Sequence, residues 1–155
     1  MERLIYDRTQ KDVQRVAELD KKFRLGTITT AEVEEYLSGM KGAYNATDLN
    51  RVGEVIEYIA ERLKSAGYGF GLTVKKDWQI SDVITVENTA YYLDAINTLR
   101  RWFVARKDTP DTPADLSGLT YTEANNIEKI LFDIDELITK MIEQQYYSGW
   151  FGSTH

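Results

Sequence analysis

Two long apolar seams constrain this chain more than any other feature. Leu49, Val52, Ile56, Ile59, Leu63 and Ala66 recur at alternating three- and four-residue spacing, and Ile127, Ile130, Leu131, Ile134, Leu137, Ile138, Met141 and Ile142 repeat the pattern for four turns or more. Each seam is the core-facing stripe of one α-helix. On the first, Glu54, Glu57, Glu61, Arg62 and Lys64 fill the opposite side. A one-sided helix must bury its stripe against another element, so the expectation is an all-α, antiparallel helical bundle.

The remaining segments fill in that frame. Val13, Val16, Leu19 and Phe23 mark a first helix with Thr9 as N-cap and Gly26 just past its end. Thr29 followed by Glu32 is a capping-box signature for a short second helix carrying Val33, Tyr36, Leu37 and Met40. A further long helix begins near Val86, carries Ala90, Leu93, Ile96, Leu99 and Phe103, and is expected to end around Arg106. Thr120 with Glu123 caps the last one. Between these lie GYGFGLTVKKDWQISDV, too glycine-rich to be helical, and KDTPDTPADLSG, whose two Thr-Pro steps force a loop. LTVKKDW reads as extended; without a strand partner it must lie on a helix or pair with another chain, with Trp78 as its anchor. The expected architecture is a single domain over 1–155, ordered from about 5 to 147. It has three long helices, two shorter N-terminal ones, one extended Gly-rich segment and an aromatic tail over 146–155.

Composition narrows the chemistry. With no cysteine there is no disulfide framework, thiolate nucleophile or cysteine-bound zinc. The one histidine is His155, which leaves no Ser-His-Asp or Cys-His triad and no histidine metal site. A formal charge of −6 disfavours nucleic acid and anionic membrane as partners; Arg100, Arg101, Arg106 and Lys107 read instead as cations around a helix end. MERLIYDRTQKDVQRV is charged from its second residue and no stretch is apolar enough to span a bilayer, so a soluble, cytoplasmically made chain is expected. No GxGxxG or phosphate-loop pattern occurs. No cofactor, metal ligand set or catalytic residue is nominated. In FDIDEL, Asp133 and Asp135 point about 200° apart on a helix and read, with Glu136, as surface carboxylates. A distant pair such as Asp48 and Asp77 is one of very many that 25 acidic residues allow.

One polar cluster stands out. Tyr44, Asn45, Asp48, Asn50 and Arg51 surround the start of the third helix. Asn45 or Thr47 can cap it and Asp48 meets its dipole. Asn50 and Arg51 inside the helix, and Tyr44 before it, are left over. They read as a buried polar contact or as an interaction site. Trp78, Pro110, Pro113, Tyr146, Tyr147, Trp150 and Phe151 form a second set, the candidate interface, the tail aromatics either packing back on the bundle or docking on a partner. Aromatics such as Tyr91, Tyr92, Trp78, Tyr146, Tyr147 and Trp150 can also serve as sugar platforms, although at helical spacing they more often fill cores.

Taken together, YDRTQKDV, YLSGMKGAYNATDLNRVGEVIEYIAERL, LTVKKDW, TPDTPADLSGLTYTEANNIEKIL and YYSG resemble, in this order, a domain of prophage-encoded tail and minor structural proteins of Gram-positive gut bacteria. The resemblance implies a noncatalytic structural or attachment-associated component. Its expected partners are other phage structural proteins or further copies of itself, and its location is first the bacterial cytoplasm and then the virion tail. It carries over no catalytic or ligand residue. The alternatives are a glycan- or cell-wall-binding module and, third, a cell-wall hydrolase, which needs two carboxylates converging in a cleft.

Overall fold

The computed structural model describes residues 4–68, 71–103 and 106–152, the side chains of 150–152 excepted. Among these the chain is all-helical, without strands: α1 Gln10–Leu25, α2 Thr30–Leu37, α3 Ala46–Ser65, α4 Val86–Trp102 and α5 Tyr121–Gly152.

Each helix starts with the same local device. The side chains of Thr9, Thr29, Asn45 and Thr85 cap α1 to α4, and Asp12, Glu32, Asp48 and Asn88 reach back to the cap N–H. For α5, Glu123 N–H donates to Thr120 Oγ1 at 3.2 Å and Thr120 N–H to Glu123 Oε2 at 2.9 Å. Two otherwise unpaired N–H groups are satisfied each time, an arrangement worth about 1 kcal/mol per helix. α3 stops where Gly67, at φ 90°, lets Tyr68 N–H return to Leu63 O at 2.9 Å. α4 ends at Trp102, short of the expected Arg106, because Phe103 turns extended at φ −111°.

The long helices are not antiparallel, which corrects the expectation from the seams. On α3 and α5, Arg51 meets Glu128, Arg62 meets Asp135 and Thr139, and just past α3 Tyr68 meets Gln145, so both numbers rise together. α4 runs the same way. Tyr92 reaches Tyr44 at the start of α3, while Arg106 beyond its far end meets Glu136 on α5. Seam spacing fixes which face is buried but says nothing of direction; direction is set by the connections.

Those connections are return paths. α3 has 20 residues and spans about 30 Å. An extended chain needs roughly nine residues to go back that far, at about 3.3–3.6 Å each. The run from 66 to 85 is ample. Val74 N–H donates to Glu57 Oε1 at 3.4 Å, Lys76 pairs with Glu57, and Trp78 reaches Asn50, so LTVKKDW descends along α3. The extended segment thus lies on a helix, the first of its two expected alternatives. At Gly53 an added Cβ would sit 3.1 Å from Lys75 O, which explains a glycine in mid-helix. The proline loop returns likewise: Arg100 Nε donates to Pro110 O at 3.2 Å, Thr109 Oγ1 to Asp133 Oδ2 at 2.8 Å, and Pro113 is buried.

The core joins Leu49, Val52, Ile56, Ile59 and Leu63 of α3, Leu93, Ile96 and Leu99 of α4, and Ile127, Ile130, Leu131, Ile134 and Ile138 of α5. Val74 and Trp78 from the first return path and Leu4 from the N-terminal segment complete it. α1 and α2 pack on each other, with Leu19 buried and the Phe23 and Tyr36 rings stacked 6.2 Å apart. Gly42 links them to the body so closely that a Cβ there would lie 2.2 Å from Asp12 O.

Candidate functional site

The polar residues before and inside α3 fall into two separate arrangements. Asn45 is the N-cap, accepting from Thr47 N–H at 2.9 Å, and Asp48 Oδ2 accepts from Asn45 N–H at 3.0 Å. The other Asp48 oxygen faces inward. There it accepts from Arg8 Nη2 at 2.7 Å and Arg51 Nη2 at 2.5 Å. Glu128, one turn further into α5 than Ala124, closes the group by accepting from Arg8 Nη2 at 2.8 Å and Arg51 Nη2 at 2.6 Å. Its second oxygen takes Ile5 N–H at 2.5 Å and Arg51 Nε at 3.3 Å. Two guanidiniums and two carboxylates therefore form a neutral ring, with Arg8 and Glu128 essentially out of solvent.

The surroundings close it further. Arg8 also donates to Ile5 O and, through Nε, to Lys41 O at 3.1 Å, and its guanidinium lies 5.4 Å over the Tyr44 ring. Its backbone is clasped by Asn125, which donates to Arg8 O and accepts from Arg8 N–H, both at 2.9 Å. The hydroxyls of Tyr44 and Tyr92 hydrogen-bond to each other. Burial pushes both phenols up from their ordinary range, well up for Tyr92. Burial opposes the charge on Arg51, but the hydrogen bonds to Glu128 and Asp48 outweigh it and hold the guanidinium more firmly protonated. A ring whose donors and acceptors face one another is a lock: it ties the N-terminal segment to α3 and α5.

Asn50 points elsewhere. It donates to Trp78 O at 3.0 Å and accepts from Trp78 N–H at 2.8 Å, so its amide substitutes for a strand neighbour and pins the return path. Sequence spacing singled out Tyr44, Asn45, Asp48 and Arg51 but not Arg8, Tyr92, Asn125 or Glu128. Only Arg8 and Glu128 carry a local oddity that could have singled them out. Arg8 is a cation immediately before an N-cap, where the helix dipole disfavours positive charge, and Glu128 falls at the i+4 position from Ala124, on an apolar face.

The acidic run of α5 needs a correction. Asp133 is not a surface carboxylate: it is 1% exposed, accepts from Thr109 and pairs with Lys129. Asp135 pairs with Arg62, and Glu136 with Arg106 at 3.3 Å. Among the described residues no group of three or more His, Cys, Asp or Glu is placed to hold a metal ion, and no helix is long and apolar enough to cross a membrane.

The candidate interface residues divide by burial. Trp78 and Pro113 are buried and Pro110 is half-buried, so all three serve the chain's own packing. Tyr146 and Tyr147 are 72% and 62% exposed. Tyr147 stands in solvent on the continuing α5 helix, and Tyr146, though largely exposed, still borders α3. The Trp150 and Phe151 side chains lie outside the described residues. At the base of this extension an open groove of about 760 Å³ runs between Tyr58, Arg62 and Ala66 on one wall and Ile142 and Tyr146 on the other. The chain matches no family model, no curated protein and no solved structure.

Proposed function

We propose that this chain is a noncatalytic structural module of a phage or prophage tail, working through protein–protein contacts. The observation that carries the reading is the α5 extension, where an apolar helix face leaves the bundle and exposes Ile142, Tyr146 and Tyr147. Exposed aromatic clusters of this kind mark contact surfaces. The order of motifs from YDRTQKDV to YYSG supports the phage assignment. A noncatalytic role is favoured by the state of Asp48 and Glu128, buried carboxylates that meet but whose oxygens are engaged by two arginines and two backbone N–H groups. The glycan-binding alternative loses Trp78 and Tyr92 as platforms, since both are buried.

The test is the protein content of particles released on induction of a prophage that encodes the chain. The expected result is its presence in purified tails, and its loss from them when residues 146–152 are deleted. A chain found only in the soluble lysate, or retained in tails without the extension, would overturn the reading.

A further inference from the structure

Residues 4–42 dock on the rest of the chain through one short strap, residues 4–8. Leu4 enters the core, the Tyr6 ring lies 5.2 Å from that of Phe132, Ile5 N–H donates to Glu128, and Arg8 completes the ionic ring and is clasped by Asn125. Beyond the strap the attachment thins out. No side chain of α1 or α2 belongs to the core cluster, and an open cleft of about 270 Å³, lined by Gln10 and Val13 on one side and Leu119 and Tyr121 on the other, lies between α1 and the start of α5. The strap is instead tied to the end of its own segment. Lys41 pairs with Asp7 at 2.8 Å, Lys41 O accepts from Arg8 Nε at 3.1 Å, and Gly42 packs on Asp12. Residues 4–42 therefore form one lobe, and only Ala43 and Tyr44 separate it from Asn45, the N-cap of α3.

We propose that this lobe exchanges between copies: the strap of one chain docks in the socket of another, placing Arg8 of the first between Asp48 and Glu128 of the second. Three observations select a second copy as the occupant. First, the socket is built to hold an extended peptide, since Asn125 pairs with both the N–H and the C=O of Arg8 and Glu128 takes Ile5 N–H. The peptide whose fit is shown is residues 4–8 of this chain, which every copy carries. Second, an element docked by one compact set of contacts and joined by a two-residue hinge exchanges at low cost, because every bond to the body is remade in trans. Third, residues 4–42 carry 7 basic and 7 acidic side chains, so the net charge of −6 lies outside them. A neutral lobe presenting Arg8 approaches the acidic body of another copy without like-charge repulsion. The exchange uses no part of the α5 extension and goes beyond the contact assigned to it.

The hinge sets the concentration at which this happens. A short tether keeps each strap near its own socket at an effective concentration of roughly millimolar. Dilute chains therefore close on themselves, and exchange competes where copies are packed that closely, as in an assembled particle. Opening returns Arg8, Asp48 and Glu128 to water together, so it costs less than deleting one of them, which strands a buried charge.

Two full-length variants mixed together test this. Arg8→Met spoils the strap and keeps the socket; Glu128→Leu spoils the socket and keeps the strap. In an exchanged pair one ring is wild type and the other lacks both Arg8 and Glu128, so neither holds an unbalanced charge. Refolded together from urea at roughly millimolar concentration, the two should form a heterodimer in sedimentation velocity that melts about 6 °C or more above either variant alone. If neither variant folds alone, the mixture should restore folding. A mixture that sediments as monomer, or melts as the superposition of its two components, overturns the proposal. The wild type refolded at the same concentration should also give a dimer, one that persists on dilution and survives deletion of residues 146–152. A wild type monomeric at every concentration, or a dimer lost with that deletion, overturns it as well. The particle assay of the α5 extension stands or falls independently of both results.

Discussion

Removing one member of the buried ionic ring should destabilise the fold far more than an ordinary salt bridge would. Glu128 accepts four hydrogen bonds, from Ile5 N–H, Arg8 Nη2 and two nitrogens of Arg51. Glu128→Leu leaves two guanidiniums facing Asp48 alone, one buried positive charge in excess. Arg8→Met leaves two carboxylates facing Arg51 alone, one negative charge in excess. Breaking a buried pair in this way costs about 3–5 kcal/mol, against about 0–1 for an exposed pair such as Arg24 with Asp20. For a chain of this size each kcal/mol lowers the melting temperature by about 2–4 °C, so each variant should melt about 6–20 °C lower. The double variant restores neutrality, with Arg51 still on Asp48, and replaces a buried pair by apolar side chains. It still leaves Ile5 N–H unpaired, at about 1–3 kcal/mol. It should therefore be more stable than the sum of the singles by at least about 2 kcal/mol. Urea unfolding of the four proteins at a constant m-value measures this. Single costs below about 1 kcal/mol that simply add would refute the reasoning, since the ring would then behave as solvated surface charge.

Asn50→Ala removes both bonds to the Trp78 backbone and should cost about 2 kcal/mol in urea unfolding, at about 1 kcal/mol per bond; an unchanged midpoint would mean that the return path holds itself. Gly42→Ala places a Cβ 2.2 Å from Asp12 O and should loosen α1 and α2, seen as faster amide exchange there than in α3 to α5. In acid the same pair should loosen first. The Lys22 ammonium, with Thr29 N–H, holds Glu32 down to about 2 from 4.5, and Arg15 lowers Glu18 and Glu35. Folded values below the unfolded ones mean stability that is present above about pH 4.5 and lost as pH falls toward 2, which chemical shifts of α1 and α2 would follow. In alkali the sign reverses: Tyr44 and Tyr92 are raised by burial, so their contribution is complete below pH 10 and lost above it. Tyr44 and Tyr92 should ionise only as the protein unfolds, which an absorbance titration followed together with circular dichroism would show.

Faces, caps and breaks were legible in the sequence, whereas direction and pairing were not. Leu49 to Leu63 and Ile127 to Ile138 sit in the core as their period requires, because 3.6-residue geometry is local. The caps at Thr9, Thr29 and Thr120 were visible for the same reason; Thr85 was not, because its N3 partner is Asn88 rather than an acid or Gln. The ring was half visible. Asp48 and Arg51 share one helix turn, but Arg8 and Glu128 come from 40 and 80 residues away from Asp48, and no local pattern encodes such a meeting. Asp133 misled for a related reason: a carboxylate in an acidic run reads as solvated until Thr109 and Lys129 arrive to pair it.

Parallel alignment has an electrostatic consequence that draws these features together. Antiparallel neighbours place opposite dipole ends side by side; parallel ones place like ends together. Here the starts of α3 and α5 meet at one end, joined by Tyr92 of α4, and their partial positive charges add. Asp48 in the first turn of α3, Glu87 of α4 and Glu123 of α5 lie against that field. At the far end Arg62, Lys64, Arg100 and Arg101 fall in the last turns of α3 and α4, where the field is negative. The buried ring is neutral on its own count, so it adds no net charge to the positive end, while its Asp48 lies within that field. Its contribution is geometric: Arg8 anchors the N-terminal parts of α3 and α5 to each other, and α4 is tied on through the Tyr92–Tyr44 contact, so the return paths need only bring each chain back to that end.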